Sequence, residues 1–266
     1  MKDETDLELA RRLAVEAGKI LANHRRNNPV PEDVTKRKAY GEAADRLSHN
    51  FLMDEFAKAR PNDLVLSEEG TDPTARLNSA RCWIIDPLDG TTNFLHGLPI
   101  YAVSVGLIHN KQPILGMIYE PNQDEMFYAS KGNGAFLNDK SIQVSTAETL
   151  ATSLLATGFP YYDFSYQDRY LDLLKELMQK SHGLRRMGAA SIDLAYTACG
   201  RFEGFFEANL KPWDVAAGKI IIEEAGGRVT NFSGGDEVIF SGEIIGAGPI
   251  FDEFLSTLQR KWFLDY

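Results

Sequence analysis

The sequence predicts a mixed α+β fold in two halves, the first built on an antiparallel sheet and the second alternating strands with helices. Three observations carry that reading. Leu9, Leu13, Ala17, Ile20 and Leu21 recur at helical spacing near the start of the 266-residue chain. Between residues 82 and 138, short apolar runs are separated by turn-forming stretches, the pattern of a meander. After residue 150, strand-like and amphipathic helical segments take turns, as they do in α/β structure.

In chain order, residues 6–24 read as an amphipathic helix and residues 29–38, rich in Pro and charge, as a loop. A second helix is expected over 45–59, with Leu47, Phe51, Leu52 and Phe56 turned inward. Leu64-Val65-Leu66 is a short strand that delivers Ser67, Glu68 and Glu69, and residues 70–80 form a polar loop leading to a strand at Cys82. Strands at 102–108, 114–119 and 125–129 are separated by His109-Asn110-Lys111-Gln112 and Pro121-Asn122-Gln123-Asp124, and residues 132–138 add a turn and a strand. The second half supplies strands at 154–156, 202–207 and 244–248, and helices at 170–180, 190–199, 215–225 and 251–262. No repeat, low-complexity tract or flexible linker divides residues 1–145 from 146–266. The two halves are therefore expected to pack as one unit, with side chains from both meeting in a cleft.

Composition narrows the function. Hydrophobic residues at 44% and charged residues at 25% are those of a globular protein with a substantial core. The net charge of −10 argues against nucleic acid as a partner, because phosphate backbones are held by Lys and Arg. No stretch approaches the ~18 apolar residues of a membrane span. The N-terminus, Met1-Lys2-Asp3-Glu4-Thr5-Asp6, is acidic and has no apolar export core. Cys82 and Cys199 sit in apolar contexts without metal-ligand spacing, which reads as free thiols in a reducing cytoplasm. The five histidines show no zinc pattern.

The most informative string is Asp86-Pro87-Leu88-Asp89-Gly90-Thr91-Thr92-Asn93, which follows the apolar run Cys82-Trp83-Ile84-Ile85. It sets two carboxylates three residues apart where a buried strand ends. Two such charges ~4 Å apart repel by ~4 kcal/mol at an effective dielectric of ~20, and a divalent cation converts that repulsion into attraction. Pro87 fixes its own backbone, and Gly90 permits a conformation a side chain would forbid. Thr91, Thr92 and Asn93 are helix-capping types, and helix N-termini attract phosphate. The string fits a hard metal plus phosphate; by itself it also fits an Asp-rich turn.

The string Trp83-Ile84-Ile85-Asp86-Pro87-Leu88-Asp89-Gly90-Thr91-Thr92-Asn93-Phe94 resembles the signature of the inositol monophosphatase family. Pro212-Trp213-Asp214-Val215-Ala216-Ala217-Gly218, leading into Glu223-Glu224-Ala225-Gly226-Gly227, is similar to the family's second motif. The resemblance runs from the first helix to about Gly248. It implies a layered αβαβα sandwich of the sugar-phosphatase type, a homodimer, and Mg²⁺-dependent, lithium-inhibited hydrolysis of a small phosphorylated polyol such as inositol 1-phosphate. Fructose-1,6-bisphosphatases and 3′-nucleotide phosphatases belong to the same superfamily, and Asp45-Arg46-Leu47-Ser48-His49-Asn50 resembles the latter branch. A protein-binding scaffold on the same fold is the alternative of another class.

By motif position the resemblance implies that Glu68, Asp86, the Leu88 carbonyl, Asp89 and Asp214 hold metal. It pairs Thr91 with Glu68 at the attacking water and gives Gly90 and Thr91 to the phosphate. Gly188, Ala189 and Ala190 correspond to the substrate-cradling helix start, although Ala189 stands where the family usually has Ser or Thr. Glu207 matches a glutamate that accepts substrate hydroxyls, a role a carboxylate suits. Asp45 aligns with an aspartate linked to a third, weaker ion, but its companion glutamate is His49 here. From the residues alone, Glu68-Glu69 fits an exposed acidic loop, and Asp45 and Asp214 fit helix caps. Arg185, Arg186 and Lys211 fit either surface charge or a second phosphate.

Overall fold

Five alternating layers of helix and sheet make up the computed structural model, which describes residues 4–70, 81–160 and 163–263. Residues 1–3 of the N-terminal reading, and all but Gly70 of the expected 70–80 loop, lie outside the described residues. The first layer pairs α1 (Asp6–Asn27) with α2 (Arg37–Ala59). Thr5 starts α1 with a reciprocal cap: its side chain accepts from the Glu8 N–H while its own N–H donates to Glu8 at 2.8 Å. Leu9, Leu13, Ala17 and Leu21 of α1 are fully buried, as the helical spacing predicts.

Under this layer lies a seven-stranded sheet in sequence order: β1 (Leu64–Ser67), β2 (Arg81–Asp89), β3 (Ala102–His109), β4 (Gln112–Glu120), β5 (Glu125–Ser130), β6 (Ala135–Leu137) and β7 (Lys140–Ile142). All its pairings are antiparallel except β1 with β2, which is parallel and sets Ser67 opposite Ile85. A side-chain period of two sends successive residues to opposite faces. Leu115, Met117 and Tyr119 of β4 accordingly join the α1–α2 core, and Ile118 joins the core on the other side.

That second core holds α5 (Ala190–Ala198) and α6 (Pro212–Glu224) between the two sheets. The α6 backbone comes very close to β3 and β4. A Cβ at Gly106 would stand 2.9 Å from the Ala216 Cβ, and one at Gly116 would strike the Ala217 carbonyl. Glycine at both positions permits the approach. The fourth layer is a five-stranded sheet ordered β11-β12-β10-β8-β9, from β8 (Leu154–Thr157), β9 (Gly183–Arg185), β10 (Gly204–Ala208), β11 (Arg228–Thr230) and β12 (Glu243–Ala247). Its outer face carries α4 (Gln167–Lys180) and α7 (Phe251–Trp262), packed through Leu173, Leu177, Phe254 and Leu258. The expected αβαβα sandwich is the observed fold.

Three local expectations are corrected. A 3-10 turn at Val34–Lys36 leads straight into α2, which begins at Arg37 and absorbs the end of the expected loop. Asp45 is therefore mid-helix rather than a helix cap, and it is only 6% exposed. Leu47 faces solvent at 51% exposure, because the buried stripe of α2 runs through Tyr40, Gly41, Ala44, Asp45, Ser48, Leu52 and Phe56.

Candidate metal and phosphate site

The end of β2 and the start of α6 bring three carboxylates together. Asp86, Asp89 and Asp214 each offer an oxygen within 4.8 Å of the others. Asp86 is 2% exposed, and its carboxylate accepts the Leu88 N–H at 2.9 Å, so the Pro87 turn folds back on it. Asp89 is buried against the N-terminus of α5, accepting the Ser191 N–H at 2.8 Å and the Ser191 hydroxyl. The backbone N–H groups of Ala190 and Gly90 also turn to Asp89. Asp214 accepts the Lys211 N–H at 2.6 Å, so it caps α6 as well as facing the other acids.

No cation is paired with Asp86, Asp89 or Asp214 among the described residues. Burial, followed by the charges of Glu68 and Asp89, pushes Asp86 well above the ordinary carboxylate range. Burial also raises Asp89, against the pull of its Ser191 hydrogen bonds. Burial and Asp89 push Asp214 up to about 8. A divalent cation would relieve all three at once, and an all-oxygen ligand set suits a hard ion. The residues therefore fit a metal.

Glu68 lies beside this trio rather than within it. The parallel β1–β2 register carries it past Ser67, its N–H reaching the Ile85 carbonyl at 3.4 Å. The residue as a whole is exposed, but its carboxyl sits deeper at the cleft. Partial desolvation there, with Asp89 and Glu69, pushes it up to about 7. Asp45 presents an Oδ1 with no hydrogen-bond partner among the described residues, and burial with the charges of Glu68 and Glu69 pushes it to about 7. His49, one turn further along α2, has its Nδ1 3.0 Å from the Ser67 hydroxyl.

Gly90 holds φ at 87°, the left-handed region that glycine enters freely, and is the cap position of the short α3 (Thr91–Leu95). The Thr91 hydroxyl donates to the Leu88 carbonyl at 2.9 Å. The expected side-chain capping by Thr91, Thr92 and Asn93 is absent from this helix. Asn93 instead reaches across the cleft, donating to the carbonyls of Ile100 at 2.8 Å and Met187 at 2.9 Å. It thereby fixes the Gly188–Ala190 segment against the β2 turn. Asn93 lies within the signature string, where it reads as a capping type, and Ser191 follows the Gly188–Ala190 motif; their contacts to Met187 and Asp89 emerge only once two distant segments meet.

Glu207, on β10, faces the same cleft. Its carboxyl is pushed to about 8 by burial and the charge of Asp214, opposed by Arg186. Near it Asp193 of α5 is 1% exposed, with an Oδ1 lacking a hydrogen-bond partner among the described residues. Asp193 is raised well above its usual range by burial, Glu207 and Asp89, again opposed by Arg186. Arg186 thus lies between acids of the protein, with its guanidinium 5.5 Å from the Phe159 ring. Arg185 is exposed and donates to the Leu184 carbonyl at 3.0 Å. On the other side of the trio, Leu66, Ser67, Glu68, Gly70, Lys211, Pro212 and Trp213 line a cavity of about 220 Å³.

The family model for inositol monophosphatases matches residues 2–262. The chain belongs to the inositol monophosphatase family. The family is metal-dependent and acts on small phosphorylated substrates. An inositol-1-monophosphatase of Rhizobium meliloti is 42% identical over 222 residues, covering 83% of each chain. A putative Nus factor SuhB of Neisseria meningitidis is 47% identical over 205 residues, covering 77% of this chain and 78% of that one. The inositol monophosphatase structure from Anabaena superposes with a TM-score of 0.81 at 36% identity, covering 96% of this chain and 95% of that chain. These relatives therefore carry two kinds of name, one enzymatic and the other that of a Nus factor.

Proposed function

We propose that this protein is a Mg²⁺-dependent phosphomonoesterase of small polyol phosphates, with inositol 1-phosphate the preferred substrate. The observation that carries the proposal is the trio Asp86, Asp89 and Asp214, the first two buried and the third half-buried, with no paired cation among the described residues. Those three, with Glu68 and the Leu88 carbonyl, are the residues that would hold Mg²⁺. When bound, the metal supplies Lewis acidity and a water that ionises near neutrality.

The chain's own groups do the rest. Glu68 and Thr91 orient the attacking water and Glu68 takes its proton; the bond from phosphorus to the ester oxygen breaks, and the polyol leaves with a proton drawn from solvent. The N–H groups of Gly90 and Thr91 receive phosphate oxygens, the Gly90 N–H turning from Asp89 as substrate arrives. Gly188, Ala189 and Ala190 form the wall opposite, held there by Asn93. Glu207 accepts hydrogen bonds from the polyol hydroxyls. The carboxyls of Glu207 and Asp193 already face the charge of Arg186, so this wall offers little net positive charge and favours a monophosphate over a substrate with a second phosphate. The halves 1–145 and 146–266 work as one unit, a reading supported by α6 lying across β3 and β4. Cytoplasmic residence, a homodimer and inhibition by lithium complete the proposal.

The test is phosphate release from inositol 1-phosphate, fructose 1,6-bisphosphate and 3′-phosphoadenosine 5′-phosphate, each with Mg²⁺ and with EDTA. Magnesium-dependent turnover led by inositol 1-phosphate is expected. A lead by either doubly phosphorylated compound would refute the role given to Glu207 and Arg186. The Nus factor names among the relatives favour a second reading, a regulatory protein-binding role beside the hydrolytic site.

A further inference from the structure

We propose that the surface joining the α1–α2 connection to the turn after α3 docks an acidic, amphipathic polypeptide segment. Residues 24–38 carry Arg25, Arg26, Lys36, Arg37 and Lys38 against only Glu32 and Asp33, in a chain whose net charge is −10. The fold adds His96 and Leu98 to this basic stretch. Arg37 Nη1 lies 3.1 Å from His96 Nδ1, and Arg25 donates to the carbonyls of Gly97 and Leu98, the latter at 3.1 Å. Arg37 also donates to the Pro31 carbonyl at 3.0 Å, and the Arg25 guanidinium lies 5.9 Å from the Phe94 ring and 5.7 Å from that of Tyr101. These contacts give the surface a fixed frame.

The groups left facing solvent are chemically complementary to one kind of partner. Arg26 is exposed and has no ion pair among the described residues. Lys36 and Lys38 stand 3.9 Å from Asp33 and 3.7 Å from Glu42, exposed contacts that contribute little and yield readily to a partner's carboxylates. Between the cations, Val34 is 67% exposed and Leu98 49% exposed, two apolar anchors of the kind that interfaces bury. A continuous polyanion such as RNA fits poorly, because Glu32, Asp33 and Glu42 interrupt the basic surface and the rest of the molecule is acidic. A polypeptide with spaced acids and intervening apolar side chains matches both features. The surface contains none of the residues assigned to metal or phosphate, so it stands or falls independently of the hydrolytic reading.

The probe is a synthetic helical peptide with Glu and Asp flanking a Leu stripe, labelled for fluorescence anisotropy and titrated with the full chain. Its controls are the same peptide with Gln and Asn for the acids, the same with Ser for Leu, and an oligouridylate of equal length. Binding of the acidic peptide that weakens with rising salt is expected, as is little binding by the controls. The triple variant R26E/K36E/K38E should weaken the complex at least about tenfold, and V34S/L98S several-fold. Each variant should keep wild-type phosphatase activity, which would show that the fold is intact. Four results would overturn the proposal: equal binding by the Gln/Asn peptide, charge-reversed protein that binds as wild type, tighter binding of the oligouridylate, or sedimentation showing that a second copy covers Val34 and Leu98.

Discussion

The two ends of β2 carry acids in opposite circumstances. At its start, Arg81 donates to Asp6 at 2.7 Å and to Asp63 at 3.2 Å. Arg60 donates to Asp6 at 2.8 Å, and the Trp83 indole to Asp63 at 3.0 Å. Asp6 is held below its usual range there, its hydrogen bonds to Arg81 and Arg60 outweighing partial burial. At the other end, Asp86 and Asp89 meet Asp214 with no paired cation among the described residues, and all three are raised. One end supports the fold; the other destabilises the metal-free fold and gains a site for an ion. Buried charge left uncompensated by the chain points to something the chain binds.

The largest effect should come from removing one charge at the far end. Asp89→Asn is expected to lower turnover of inositol 1-phosphate at least about a thousandfold, equivalent to ~4 kcal/mol of transition-state stabilisation. Its melting temperature without metal should not fall, because mutual repulsion is relieved. An active Asp89→Asn protein would break the comparison.

Removing the ion should sharpen it. With Mg²⁺ at about a hundred times its dissociation constant, stabilisation of ~2.7 kcal/mol is expected over EDTA-treated protein, roughly 5–10 °C in melting temperature. The metal-free protein should also respond to pH in a set direction. Its trio holds protons in the folded state that the unfolded chain releases near the ordinary value of 3.8. The folded state thus binds more protons, so stability is fullest in acid and falls as pH rises, Asp214 losing its share as pH passes through about 8. Asp6, lowered by its arginines, has the opposite sign and loses its contribution in acid. Thermal melts across pH with and without Mg²⁺ separate the two, since metal should flatten the neutral slope and leave the acid limb.

The motifs at the far end were legible because they are contiguous. Asp86 to Asn93 places strand end, turn and short helix within a few residues, and Asp214 follows Pro212 and Trp213 at a helix start. What the sequence concealed depends on long-range packing. The first residues of α2, 37–44, lack a helical apolar pattern because they bury only Tyr40, Gly41 and Ala44, and Gly41 is a poor helix former. β9 and β11 are three residues each, too short for any period, and are strands only because they pair with β8 and β12. Asn93 reads as a capping residue, yet its amide joins segments 94 residues apart. The acid–arginine network at the near end was likewise invisible, since Asp6, Arg60, Asp63 and Arg81 are scattered through the sequence.

Two smaller effects complete the contrast. Ser191→Ala removes the hydroxyl donor that fixes Asp89, and groups that orient metal ligands contribute about 10–100-fold to affinity or activity. The expected result is a turnover loss in that range together with a higher Mg²⁺ requirement. Arg81→Met at the near end should cost about 1–2 kcal/mol in a urea melt, a charged hydrogen-bond contribution reduced by its partial exposure. It should leave hydrolysis unchanged. Lost activity in that variant would mean that the two ends of β2 are coupled.

The most direct test of the uncompensated trio is a calorimetric titration of Mg²⁺ into EDTA-treated protein near neutral pH, in two buffers of different ionisation enthalpy. The wild type should bind the ion with release of protons, because carboxyls held protonated by burial must ionise to ligate it. Asp214→Asn should abolish the signal. Equal heats and proton release in that variant, or wild-type binding without proton release, would contradict the central claim.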